Sequence, residues 1–276
     1  MKLKYKILLN KYLSFFKSKE HCDFVLTDVL FAFKEIYPFL NHKNINKILE
    51  IGSGTGILLK ELSEYFPKKF FFGLDPHKTG FHGYEIISSN ISNKNLSIYR
   101  VSLKNFKNKF FFDLIFSFNT FEHIKNQDQY LMITKDLLSD RGKKVIFCPN
   151  YDFPYEPHFK LPILFNKKIT YFFFRKIIRN YERKTKEYGL WKNLNFNGKK
   201  KIESLLIKNK LNFSYDNKIY DKILNRITDD DSKFFKKRQF IVSKLALFLR
   251  IIFFDKLIFN FFKFPFPYMK IIIKKK

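Results

Sequence analysis

The period of the hydrophobic positions changes along the chain. Lys47-Ile-Leu-Glu-Ile51 is a short apolar run closed by glycine, which predicts a buried strand and a turn. Over residues 58–66 the period becomes helical, with Leu58, Leu59, Leu62 and Phe66 on one face until Pro67 stops it. Residues 69–74 read as a second strand ending at Asp75-Pro76. Residues 96–101 and 111–118 read as further strands, 127–138 as a helix, and 144–148 as a strand launched by a turn at Asp140-Arg-Gly142. Strands alternating with helices in units of about 20–30 residues predict a doubly wound, parallel α/β sheet.

Outside this core the pattern differs. Residues 1–46 carry apolar positions at mixed helical spacing and then Pro38 and Asn41, predicting one or two helices ahead of the sheet. After residue 150 the alternation breaks. A segment rich in Pro, His and aromatics (150–162) leads into a basic amphipathic helix at 167–186, a helix at 199–207 and a strand at 211–215. A Phe-rich stretch begins at Phe240, and a last apolar run at 268–273 predicts a late-entering strand. The expected organisation is an N-terminal helical segment (1–46), a core (47–150) and a substrate-side region (151–276).

Composition narrows the class. The 276 residues include 38 Phe and 15 Tyr, too much burial potential for a disordered chain, while 9 Gly and 2 Cys exclude collagen-like and disulfide-scaffold proteins. Lys and Arg number 53 against 25 Asp and Glu, a net charge of +28. A bias towards Lys, Ile, Phe and Asn is also what an AT-rich genome encodes, yet a surplus this large favours anionic partners. Residues 1–16 mix lysines into their apolar positions and show no small-residue cleavage site, and charges interrupt the apolar stretch 240–264. A cytoplasmic protein is expected.

Glu50-Ile-Gly52-Ser-Gly54-Thr-Gly56 follows the first predicted strand and opens the first predicted helix. Small residues let the backbone turn sharply and approach a ligand, and a helix N-terminus presents free N–H groups. The glycines are spaced G-x-G-x-G with an acid two residues ahead, which differs from the G-x-G-x-x-G of dinucleotide loops.

On these residues the chain resembles the class I S-adenosylmethionine (SAM)-dependent methyltransferases, in particular the small-molecule branch typified by quinone-biosynthesis enzymes. Residues 48–56 look like the family's first motif and Phe72-Gly-Leu-Asp75 like its second strand with the ribose-binding acid. Phe112-Asp-Leu-Ile-Phe-Ser-Phe118 looks like its fourth strand, and residues 137–150 like its fifth. The resemblance implies a Rossmann-like, seven-stranded class I methyltransferase fold, its last strand antiparallel, with helical insertions in the C-terminal half. It implies SAM as cofactor, with the Gly52, Ser53, Gly54 and Gly56 loop against the methionine part and Glu50 orienting that part. Asp75 would accept from both ribose hydroxyls and Asn119 would face the sulfonium side. Many relatives carry an Asp for the adenine after the third strand. This chain reads Arg100-Val-Ser-Leu-Lys104, leaving Ser102, a backbone carbonyl or Leu103 for that task.

Methyl transfer from a sulfonium is an in-line displacement that needs alignment and, for a hydroxyl acceptor, a base. His123, in Phe121-Glu-His-Ile124, and His158, in Pro154-Tyr-Glu-Pro-His-Phe159, are the candidates. Both also read as residues of a helix start or a stiff loop with no chemical role. The expected reaction is O-methylation of a small, sugar-linked or lipid-linked metabolite. RNA methylation and a non-catalytic scaffold that kept the fold are the alternatives. Asn119-Thr-Phe-Glu122 lacks the Pro-Pro-aromatic pattern of base-amino methyltransferases, Cys148 has no partner cysteine motif, and no Cys/His zinc spacing appears, so no metal is expected. Two basic, aromatic-rich segments, 167–186 and 240–264, suit either an anionic inner-membrane surface or ordinary packing on the core.

Overall fold

The computed structural model describes residues 4–77, 83–107, 110–229, 244, 247–248, 250–252 and 265–275. The chain forms two compact units, residues 1–41 with 217–266, and residues 42–216 with 267–276. These boundaries differ from the expected three segments, because the last strands of the chain complete the sheet begun at residue 47.

In the first unit, helices α1 (Tyr5–Tyr12) and α2 (Lys19–Leu40) bury Leu8, Leu26 and Ile36. Ser18 caps α2 by accepting the His21 N–H at 3.2 Å, and Pro38 is accommodated inside its last turn. Helix α9 (Ile219–Asp229) places Lys222 on Glu35 at 2.9 Å and Arg226 on Asp28. Most of the Phe-rich segment 240–264 lies outside the described residues.

The second unit is built on strands β1 (Lys47–Ile51), β2 (Phe70–Leu74), β3 (Leu96–Tyr99), β4 (Phe112–Phe118), β5 (Leu138–Pro149), β8 (Asn212–Tyr215) and β9 (Tyr268–Lys274). Their order is β3-β2-β1-β4-β5-β9-β8. The first five pair in parallel, and β9 lies antiparallel between β5 and β8, as the resemblance implied. Ile48, Leu49, Leu114, Ile115, Phe116, Ile146 and Phe147 are buried in β1, β4 and β5, which is why central parallel strands read as continuous apolar runs. The helices of this unit are α3 (Ile57–Tyr65), α4 (Tyr84–Ser89), α5 (Gln127–Asp136), α6 (Lys167–Thr185), α7 (Leu190–Asn193) and α8 (Lys199–Lys208). Two-residue strands β6 (Tyr155–Glu156) and β7 (Leu161–Pro162) pair as a separate antiparallel hairpin.

One expectation is corrected and two open readings are sharpened. The turn expected at residues 140–142 is part of β5, where the register shifts between the Phe112 and Leu114 pairings. A Cβ on Gly142 would meet Leu138 at 2.7 Å and the Phe112 carbonyl at 2.9 Å, so this glycine serves close packing rather than a free turn. The Pro-rich segment after β5, open to reading as a stiff loop, carries the short β6–β7 hairpin. Helix α6, for which surface binding and packing on the core were both open, buries Ile178 and rests Tyr171, Phe174 and Tyr181 on an apolar cluster, and leaves Phe172 and Phe173 72% and 66% exposed. Three successive phenylalanines span more than half a helical turn, so no single face can bury them all.

Candidate active site

The loop between β1 and α3 is held in a shape that favours glycine. Gly52, Gly54 and Gly56 have φ of 78°, 51° and 74°, in the left-handed region that favours glycine. A Cβ on Gly52 would fall on the Thr120 side chain, so the segment after β4 closes directly over the loop. The Leu74 carbonyl accepts the Gly52 and Ser53 N–H groups at 2.8 and 3.2 Å, and Ser53 accepts the Gly56 N–H at 2.8 Å. The Tyr84 ring, at the start of α4, would lie 3.4 Å from a Cβ on Gly54.

Two carboxyl groups flank this cradle. Asp75, at the end of β2, accepts the Gly54 N–H at 2.9 Å through Oδ2 and the His77 N–H at 2.8 Å through Oδ1. Glu50, in β1, is buried and its Oε2 has no hydrogen-bond partner among the described residues. Burial, and after it the charge of Asp75, holds the Glu50 carboxyl well above the usual carboxylate range. Ser53 Oγ is likewise buried and unpartnered among the described residues. Buried polar atoms are normally paired, so two orphans at one loop mark a place where a ligand is expected.

The remaining residues of the expected cofactor site sit at the same strand-end edge of the sheet. Asn119, with φ of 49°, accepts from the Tyr268 hydroxyl of β9, and its N–H donates to the Phe147 carbonyl at 3.1 Å. Ser102 precedes a single turn of 3-10 helix (Leu103–Asn105), where its carbonyl accepts the Asn105 N–H at 2.9 Å and its side chain makes no cap.

His123 and His158, expected separately as candidate bases, are brought together. Their rings lie 5.3 Å apart at 73°. His123 ends the 3-10 turn Phe121–His123 that follows Thr120, and His158 lies between β6 and β7. Glu156 of β6 is fully buried. Its Oε1 accepts from His158 Nδ1 at 2.6 Å and from Tyr151 at 3.3 Å, and its Oε2 accepts the Phe159 N–H at 2.7 Å. Glu122 is 2% exposed, and neither of its carboxyl oxygens has a hydrogen-bond partner among the described residues. Burial pushes Glu122 up to about 7 and, with His158 adding to it, holds His123 down to about 3. Ligand atoms of Glu122, His123 and His158 all lie within 4.8 Å of one another. Asn195 braces this region by donating to the carbonyls of Phe121 and Glu122, each at 2.9 Å.

Sequence reading singled out both histidines but not the groups that place them. The sequence offers the Tyr, Glu and His of the Pro154–Phe159 stretch as a candidate pocket lining, but nothing in it shows that Glu156 holds the His158 ring. Thr120, Tyr268 and Asn195 gave no signal, because their roles come from contacts between distant segments.

A family profile described as a methyltransferase domain matches residues 19–200. Two uncharacterized proteins from two strains of Mycobacterium tuberculosis are 36% identical over 85 residues, 31% of this chain and 29% of theirs. The chain therefore matches less than a third of the length of these curated relatives. Among solved structures, the plantazolicin methyltransferase BpumL in complex with a triazolic desmethylPZN analog and SAH superposes with a TM-score of 0.52 at 16% identity, covering 98% of this chain and 90% of that one. The same enzyme with a monoazolic analog gives 0.51 at 15% identity, with 98% and 90% covered. Likeness at this level of identity establishes the fold.

Proposed function

The chain belongs to the methyltransferase-domain family, and from that premise we propose that it transfers a methyl group from SAM to an oxygen of a small, sugar-linked or lipid-linked acceptor. The observation that carries this reading is the buried Glu50 carboxyl oxygen, unpartnered among the described residues, beside three left-handed glycines. The residues present fit SAM. Glu50 would answer its ammonium group, the cradle would admit its methionine part against bare backbone, and Asp75 would meet the ribose from the end of β2. When bound, SAM supplies a methyl group on a positively charged sulfur. The chain's own task is to align the acceptor and keep water out.

The acceptor is assigned to the cluster of Glu122, His123 and His158. Thr120 packs against Gly52, so the turn that carries Glu122 and His123 starts at the cofactor loop. Paired imidazole and carboxyl groups suit a hydroxyl acceptor, which must lose a proton as it is methylated. The test is transfer of labelled methyl from SAM to fractionated metabolites, with the linkage read by NMR. A methyl ether or ester on a small, sugar or lipid acceptor is expected, and label in RNA or on nitrogen would overturn the reading.

We further propose a cytoplasmic protein attached peripherally to an anionic membrane surface. The support is α6, where Phe172, Phe173 and Ile177 are exposed among Arg175, Lys176 and Arg179, giving apolar and cationic groups on one helix. No helix among the described residues is long and apolar enough to cross a membrane. Flotation with vesicles containing anionic lipid should carry the chain upward, and the Phe172→Glu/Phe173→Glu variant should lose at least half of that binding. Wild-type protein left at the bottom would remove the proposal.

A further inference from the structure

We propose that Glu122, His123 and His158 form a binding site for a first-row divalent cation of the zinc class. Three observations carry it. The ligand atoms of these side chains lie within 4.8 Å of one another, although they come from two segments, the turn after β4 and the β6–β7 hairpin. Glu122 is almost completely buried and both its carboxyl oxygens lack a hydrogen-bond partner among the described residues, an arrangement that costs free energy unless a positive group completes it. His158 is already oriented as a metal-binding histidine would be, since its Nδ1 donates to the buried Glu156 carboxylate at 2.6 Å and its lone pair is thereby fixed on Nε2.

The donor set decides the class of ion. Two imidazoles and one carboxylate form a site for zinc and its neighbours, whereas magnesium and calcium prefer all-oxygen shells. Metal–nitrogen bonds of about 2.0–2.1 Å in a tetrahedral site put ligand atoms roughly 3.4 Å apart, so loading draws the three side chains inward by rotation about their side-chain bonds. Three protein ligands leave a position open. An acceptor oxygen would fill it, and its pKa would fall. That role rests on the methyl-transfer reading, whereas binding of the ion does not. Glu156, held by Tyr151 and the Phe159 N–H, is the positioning residue that fixes the His158 ring.

The experiment is titration of the full chain, stripped with chelator, with Zn(II) by calorimetry and with Co(II) by visible absorption. One ion per chain and a Co(II) spectrum of low-symmetry, nitrogen- and oxygen-ligated type are expected. Glu122→Gln and His158→Ala should each weaken binding at least tenfold, and Glu156→Gln roughly tenfold, through loss of ring orientation. Glu122→Gln keeps the shape of the buried side chain and so guards against a variant that merely unfolds. Absence of one-to-one binding by wild-type protein, or unchanged affinity in both first variants, would overturn the site. SAH titration in parallel separates the two readings. If wild-type protein fails to bind SAH while taking up one cation, the methyltransferase reading falls and the cation site stands.

Discussion

The Asp75 carboxylate accepts the backbone N–H of Gly54 at 2.9 Å, which ties the acid at the end of β2 to the glycine loop that follows β1. A residue assigned to a ribose therefore also shapes the cradle for the rest of the cofactor. The loop's second tie is steric, through Thr120 packed on Gly52, and it links the cofactor loop to the turn bearing Glu122 and His123.

That steric tie can be broken. Gly52→Ala asks an alanine to adopt φ of 78° and to occupy the space of the Thr120 side chain. The expected cost is about 1–3 kcal/mol of stability, with at least a tenfold loss of SAH affinity. Adding Thr120→Ala relieves the collision but not the backbone strain, so calorimetry and thermal unfolding should show partial recovery. Wild-type affinity in Gly52→Ala would show that the loop does not hold the ligand.

Cofactor binding should expel a proton. Glu50 in the free protein is held well above the usual carboxylate range, first by burial and then by Asp75, and a cationic ligand favours its ionised form. SAM affinity therefore rises with pH across the range in which free Glu50 still carries its proton and levels off above it. Calorimetry in buffers of different ionisation enthalpy should show net proton release, abolished in Glu50→Gln. Proton uptake would contradict the assignment.

Lys144 makes stability depend on pH. Burial, and then Lys135, lowers its ammonium to about 7, while its Nζ donates to Thr134 at 2.6 Å. Above the unfolded-state value near 10.5 this lysine is neutral in both states and carries no penalty. As pH falls towards about 7 the unfolded chain takes up a proton that the folded chain resists, and the contribution is lost across that window. Lys144→Met should be more stable than wild type at pH 7, on the order of 2 kcal/mol, with a smaller gap at pH 9.5. Denaturant unfolding at the two pH values checks this, and a pH-independent gap would contradict it.

The core strands were legible because central parallel strands are apolar on both faces, so β1, β2, β4 and the second half of β5 stand out without any knowledge of their partners. The glycine loop was legible because backbone shape demands its residue types. Helix α4 escaped notice, having only six residues, and so did β6 and β7, with two each. Gly142 was misread as a turn because the close approach it permits, to Leu138 and Phe112, exists only after β5 pairs with β4. The site was half legible. His123 and His158 could be picked out by type, but their approach, the burial of Glu122 and the support from Glu156 arise from tertiary packing of separate segments.

The most direct test of the account is calorimetric titration of the purified chain with SAM and with SAH, repeated on Asp75→Ala. One-to-one binding by wild type, weakened at least tenfold in the variant, is expected, since the substitution removes both the proposed ribose acceptor and the Gly54 tie. A folded wild-type protein that binds neither ligand, or a variant that binds as wild type does, would contradict it.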